Sequence, residues 1–239
     1  MWQKKYTKWL EKDSYALSTG HDESEQYFVD VSTRIIKRLQ LNKSDIVLDY
    51  GCSNGTITKK ICKEVKTIYG VDFIDSLVNR AKNENSSKNI DYLCLNAVET
   101  VEQLRHLNIN KVYIHNVVHN LDTFDNFISL MRNILSILPT WGGVLLADVP
   151  DKDKFDEFIK SKNFKQKIVF SLDRYLNPKI YLYILKLRNF LKKDIMGNTL
   201  WFSTKEIENF LENENVRVKK VGDGTMIYHR SDFLIEKVK

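Results

Sequence analysis

The residues best suited to chemistry begin with an acid and two glycines, Asp49-Tyr50-Gly51-Cys52-Ser53-Asn54-Gly55, entered from the apolar run Ile46-Val47-Leu48. A second acid, Asp72, stands seventeen residues past Gly55 and closes the next apolar run, Thr67-Ile68-Tyr69-Gly70-Val71. A helix pattern (Ile57, Ile61, Cys62, Val65) follows the glycine turn at once. Strand, glycine turn and helix in that order are how an open α/β sheet presents a cofactor at the carboxyl end of its first strand. Gly51 and Gly55 let backbone approach a ligand where a Cβ would block it. A carboxylate at Asp72 can accept both hydroxyls of a ribose. The chemistry is that of holding a nucleoside cofactor.

The spacing decides which one. A dinucleotide fingerprint would place glycines at 51, 53 and 56, and the chain has Gly51, Ser53 and Thr56. It reads instead as Asp-x-Gly-x-Ser-x-Gly, which resembles motif I of the class I S-adenosylmethionine (SAM) methyltransferases, with Ser53 for the middle glycine. From about residue 44 to the C-terminus the chain is similar to that family. The resemblance implies that Asp49, Gly51, Cys52, Ser53 and Gly55 lie over the methionine portion of SAM, that Asp72 takes the ribose, and that Phe73 flanks the adenine. Asn96-Ala97 fall where the family often has an Asp-Ala pair at the adenine amine; Asn keeps an acceptor and loses the charge. Asn116, after the fourth strand, is implied to face the methyl-transfer site. The runs Leu200-Trp201-Phe202-Ser203 and His229-Arg230-Ser231-Asp232-Phe233 look more narrowly like small-molecule O-methyltransferases of bacterial surface-polysaccharide and secondary-metabolite pathways.

Methyl transfer asks the protein to align an acceptor lone pair behind an activated methyl in a dry site. A hydroxyl acceptor also needs a general base. His119, in Ile114-His115-Asn116-Val117-Val118-His119-Asn120, is the candidate, set against a role as a helix cap or backbone partner. Histidine titrates near neutrality unperturbed. His115 reads as an internal strand residue. Asp148, closing the fifth strand, is a second candidate as base, orienting partner or helix cap. No metal is expected. His115 and His119 are four apart but Asn116-Val117-Val118 between them holds no Glu. Acids after strands 4 and 5 (Asp122, Asp125, Asp148) offer the weaker alternative of a divalent ion.

The elements that must position these residues alternate. Residues 1–41 read as two helices, one carrying Trp2, Tyr6, Trp9 and Leu10, the other Phe28, Val31, Ile35 and Leu39. Strands are expected near 45–50, 67–71, 90–94, 110–115 and 144–148, with helices near 56–64, 74–84, 98–107 and 122–138. Pro139 ends the last of these. Such alternation argues for a doubly wound, Rossmann-like sheet. The rhythm breaks over 151–200, read as a helical lid, with Asn177-Pro178 opening a helix over 175–196 whose apolar face is broad. That face is expected to be covered within the monomer, with a homodimer contact or a membrane surface as alternatives. Ser203 and Glu206 spell a capping box. Strand-like runs at 216–221 and 225–236, joined through Gly222-Asp223-Gly224, complete seven strands with an antiparallel hairpin. The whole is read as one domain, 1–239.

At 239 residues, 43% hydrophobic and 28% charged, the chain can bury one sizeable core. No apolar run approaches the ~18–20 residues of a membrane span. Three scattered cysteines (Cys52, Cys62, Cys94) form neither a metal spacing nor a disulfide framework, which points to a reducing cytoplasm. The net charge of +6 invites a nucleic-acid partner, but the lysines are dispersed. Base methylation is disfavoured: His115-Asn116-Val117-Val118 replaces the Asn/Asp-Pro-Pro-aromatic tetrapeptide of N-methylating enzymes, and no proline precedes a cysteine. The expected acceptor is a small molecule or glycan; RNA modification and a non-catalytic SAM-binding subunit are the alternatives.

Overall fold

In the computed structural model, residues 24–95, 101–154, 200–224 and 229–238 are described. The expected Trp2/Tyr6/Trp9 helix, Asn96-Ala97 and the 175–196 helix lie outside them. The order is α1 (Glu25–Leu39), β1 (Ile46–Tyr50), α2 (Thr56–Ile61), β2 (Thr67–Asp72), α3 (Asp75–Glu84), β3 (Ile90–Cys94), β4 (Lys111–His115), α4 (Phe124–Ile137), β5 (Gly143–Pro150), α5 (Thr204–Phe210), β6 (Val216–Asp223) and β7 (Arg230–Lys237). The sheet runs β3-β2-β1-β4-β5-β7-β6. β1 to β5 pair in parallel, and β7 runs antiparallel to both β5 and β6. The direction of winding reverses between β1 and β4, the place where open α/β sheets bind ligands.

Alternation along the strands divides the core. Leu48, Tyr50, Val112 and Ile114 face α4 and α5, packing with Phe127, Leu130, Ile134 and Phe202. Val47, Tyr113, Leu145 and Ala147 face the other way, against Phe28, Val31, Ile35 and Ile61. Because side chains of a strand alternate, Asp49 shares the face of Val47 and turns toward α1 and α2. The helix ends follow side-chain chemistry. The Ser24 hydroxyl accepts from the Tyr27 N–H to open α1. Ser203 and Glu206 form the expected capping box on α5. Among the described residues no helix is long and apolar enough to cross a membrane.

Three expectations need correction. The fifth strand does not stop at Asp148 but continues to Pro150, with a register shift between Leu146 and Val149 and Asp148 at φ 56°. Gly222-Asp223 do not form the hairpin turn: β6 runs through both, and the connection to β7 comes later. A Cβ on Gly222 would stand 2.7 Å from the Arg38 guanidinium, so this glycine admits an arginine of α1 at a strand irregularity. Third, 101–107 is 3₁₀ rather than α-helical.

The segment between β5 and α5 leaves and returns at one point. Lys152 N–H donates to the Phe202 carbonyl (2.8 Å) and Phe202 N–H to that of Pro150 (3.0 Å).

Candidate active site

The loop after β1 is built by backbone conformation. Gly51, Ser53 and Gly55 all have positive φ (84°, 51° and 78°). Gly51 and Cys52 N–H both donate to the Val71 carbonyl, at 2.8 and 3.0 Å, which ties the turn to β2. A Cβ on Gly51 would stand 2.4 Å from Val117 Cγ2, and one on Gly55 would stand 2.3 Å from the Tyr92 hydroxyl oxygen. Both glycines are thus required by the protein's own packing, beyond any ligand. Ser53 adopts a left-handed conformation that glycine takes more readily. Its N–H donates to Asp72 Oδ2 at 2.9 Å, while Ile74 N–H donates to Oδ1 at 3.1 Å. Each Asp72 oxygen keeps further acceptor capacity. Phe73, half-buried, follows directly.

Asp49 is buried beneath this loop, where Thr58 donates to its Oδ2 at 2.5 Å and the Tyr113 hydroxyl also faces it. Burial pushes its carboxyl up to about 7, against the lowering effect of those hydroxyls. No cation neutralises it among the described residues. The sign of the consequence follows from linkage. The folded state holds this proton to higher pH than the unfolded chain, so Asp49 subtracts stability as pH rises from about 4 through about 7. Asp49→Asn is therefore expected to raise stability near pH 8 by on the order of 2–4 kcal/mol, read from urea unfolding. Equal stability of the two proteins at that pH would contradict the assignment.

At the ends of β4 and β5 the chemistry is denser. Asn116 has φ 58°, and its N–H donates to the Ala147 carbonyl at 2.9 Å. Arg230 Nη1 donates to Asn116 Oδ1 (2.7 Å) and to the Asp148 carbonyl (2.6 Å). His119 is buried in a 3₁₀ turn, Val118–Asn120, and its carbonyl accepts from Leu200 N–H at 3.0 Å. Trp201 stacks on His229 with ring centroids 5.2 Å apart.

Asp148 is fully buried in an ionic network. Its Oδ2 meets His115 Nε2 at 2.8 Å and Arg34 Nη2 at 2.9 Å. Its N–H donates to Asp232 Oδ1 at 2.9 Å. Arg34 Nε lies 3.1 Å from Asp232 Oδ2, which Arg38 also grips. Burial, with Arg34 alongside, lowers the Arg38 guanidinium to about 10. Burial likewise lowers Arg230. Asp148 therefore does not face an open rim.

The structure gathers Asp49, Gly51, Cys52, Ser53, Gly55, Asp72 and Phe73 at the ends of β1 and β2, and Asn116, His119 and Asp148 at the ends of β4 and β5. Sequence reasoning missed Arg34, Arg38, Asp232 and Arg230, and gave His115 no partner. The i, i+4 spacing of Arg34 and Arg38 was the available signal, since it puts both on one face of α1. Among the described residues no group of three His, Cys, Asp or Glu side chains is arranged to hold a metal ion.

A family model described as a methyltransferase domain matches residues 41–215. The fold is similar to that of the N-methyltransferase NodS from Bradyrhizobium japonicum, solved with S-adenosylhomocysteine (SAH) (TM-score 0.61, 12% identity, covering 97% of this chain and 95% of that one). It is also similar to a SAM-dependent methyltransferase from Anabaena variabilis (TM-score 0.64, 19% identity, covering 99% and 93%). In sequence, the chain is 33% identical over 79 residues to a probable cobalt-precorrin-6B C(15)-methyltransferase (decarboxylating) of Methanocaldococcus jannaschii, covering 33% of this chain and 43% of that protein. The chain spans less than half the length of the curated relatives it matches.

Proposed function

This chain belongs to the methyltransferase-domain family and has the class I fold, and from that premise we propose that it uses SAM to methylate a hydroxyl of a small-molecule or sugar-type acceptor. SAM, when bound, supplies an activated methyl on a sulfonium centre. The residues fit such a group, because the buried Asp49 carboxylate lacks a cation among the described residues and a cationic methionine end supplies one. We assign Asp72 to the ribose, Phe73 to the adenine, and the loop of Gly51, Cys52, Ser53 and Gly55 to the methionine portion. Asn96 and Ala97 are proposed for the adenine edge. Asn116 and His119 then border the acceptor, with His119 taking its proton. Residues 151–200, whose flanks meet through Lys152, Pro150 and Phe202 at the end of β5, are proposed as the lid of that pocket.

The observation that carries the hydroxyl reading is His119, held by its backbone to Leu200, three residues past Asn116. A hydroxyl acceptor needs such a base; an unprotonated amine does not. The test is incubation with SAM bearing a deuterated methyl and a pool of glycans, nucleotide sugars and hydroxylated metabolites, followed by mass spectrometry. We expect a product heavier by one labelled methyl, carried as an ether. Label on nitrogen or carbon would overturn the acceptor assignment, and SAM binding with no product across the pool would favour a non-catalytic partner subunit.

The Asp49 assignment has its own test. Since the carboxyl must be ionised to meet a cation, SAH affinity should rise from about pH 5.5 to about pH 7.5 and then level off. Calorimetry should show that rise in the wild type and not in Asp49→Asn, which should bind more weakly. A flat wild-type profile would remove Asp49 from the cofactor site.

A further inference from the structure

The ionic network beside the acceptor region is unbalanced. Three guanidiniums, Arg34, Arg38 and Arg230, meet at the ends of β4, β5 and β7. Two buried carboxylates face them, and both are engaged: Asp148 with Arg34 and His115, Asp232 with Arg34 and Arg38. Among the described residues the Arg230 guanidinium is bonded by neutral oxygens alone, the Asn116 side chain and the Asp148 carbonyl, and both bonds use Nη1. Its Nε is buried with no hydrogen-bond partner among the described residues. The nearby Asp151 is held by Ser231 and Lys220, and Asp223 by Lys154.

The acceptors on Arg230 are neutral, and the Asp148 carboxylate acts on this guanidinium only through space while Arg34 and His115 engage it. A desolvated guanidinium is thus left without an ion-pair partner among the described residues, which is costly. The edge left over, Nε with Nη2, is one of the two forks by which arginine binds a carboxylate or phosphate bidentately. The same guanidinium holds Asn116 through Nη1 at 2.7 Å, and Asn116 borders the acceptor in the reading above. We propose that Arg230 recognises an anionic group on the methyl acceptor, so that the substrate is a hydroxylated carboxylate or phosphate rather than a neutral glycan.

The inference rests on the methyltransferase reading, and two separate measurements keep their failures apart. SAH calorimetry on the wild-type protein tests the cofactor site alone. Ligand-detected NMR titration with benzoate, neutral benzamide and inorganic phosphate at constant ionic strength, with and without SAH, tests Arg230. Saturable binding of an anion and none of benzamide is expected. Arg230→Gln should weaken the anion by about tenfold or more, the order of one charge-assisted bidentate contact, and Arg230→Lys by less. Tighter phosphate than benzoate would assign a phosphoryl acceptor, and the reverse a carboxylate. Equal anion affinity in wild type and Arg230→Gln, or no saturable anion binding at all, overturns the proposal. An arginine that is only a strut would show as lost thermal stability in both variants with anion affinity unchanged, which also overturns it.

Discussion

Replacing His119 by alanine is expected to lower methyl-transfer turnover by roughly 10²–10⁴ while leaving SAM affinity within a few fold. The left-handed Asn116 turns the chain sharply out of β4, and the 3₁₀ turn Val118–Asn120 then carries the histidine. Leu200 N–H clasps the His119 carbonyl, so the turn is pinned from the far end of the inserted segment. A base held in this way loses little entropy on use, and its removal should show in turnover rather than in cofactor binding. Single-turnover rates beside SAH calorimetry separate the two effects. Turnover in the variant unchanged across about pH 6–9 would reduce His119 to scaffold.

Asp148→Ala is expected to destabilise the fold by about 3–5 kcal/mol, because it leaves Arg34 and His115 facing an empty buried site. The Asp148 side chain thus ties α1 and β4 to β5, while the Asp232 carboxylate, which accepts the Asp148 N–H and meets Arg34, adds β7 to the same network. A Cβ on Gly224 would stand 2.1 Å from Asp148 Oδ1, a sign of how tightly the connection after β6 covers it. Urea unfolding measures the loss. If Asp148 were instead a proton acceptor with little structural weight, Asp148→Asn would fold normally and fail only in turnover. A double variant, Arg34→Met with Asp148→Leu, should regain part of the stability lost in Asp148→Ala, since removing both charges removes the unpaired one. A stability change under about 1 kcal/mol in Asp148→Ala would sink this account.

Local chemistry was legible where its partners lie close in sequence. The capping box of Ser203 and Glu206 spans three residues and formed as read. The glycine turn and Asp72 are joined by a backbone hydrogen bond from Ser53, within one strand–helix–strand unit. Errors arose where the deciding neighbour is distant. Gly222-Asp223-Gly224 has the composition of a turn, yet Arg38 from α1 occupies the space that Gly222 leaves open, and the strand continues. The fifth strand reads as ending at Asp148, yet β7 pairs with it through Pro150.

The sequence by itself determined the doubly wound order of strands and helices, the loop of Asp49 to Gly55 and its acid at Asp72. Periodicity and turn chemistry act over a few residues, and there a side chain's type nearly dictates its backbone. Only the tertiary structure decided that Asp148 is sealed among Arg34, His115 and Asp232, and that Arg230 stands beside Asn116 with neutral oxygens as its hydrogen-bond partners among the described residues. Buried charges are balanced by whatever the fold brings within a few ångströms. Arg34 and Asp148, or Asn116 and Arg230, are each 114 residues apart in the chain. No spacing in the sequence encodes that proximity, because it is set by how α1 and β7 dock on the sheet.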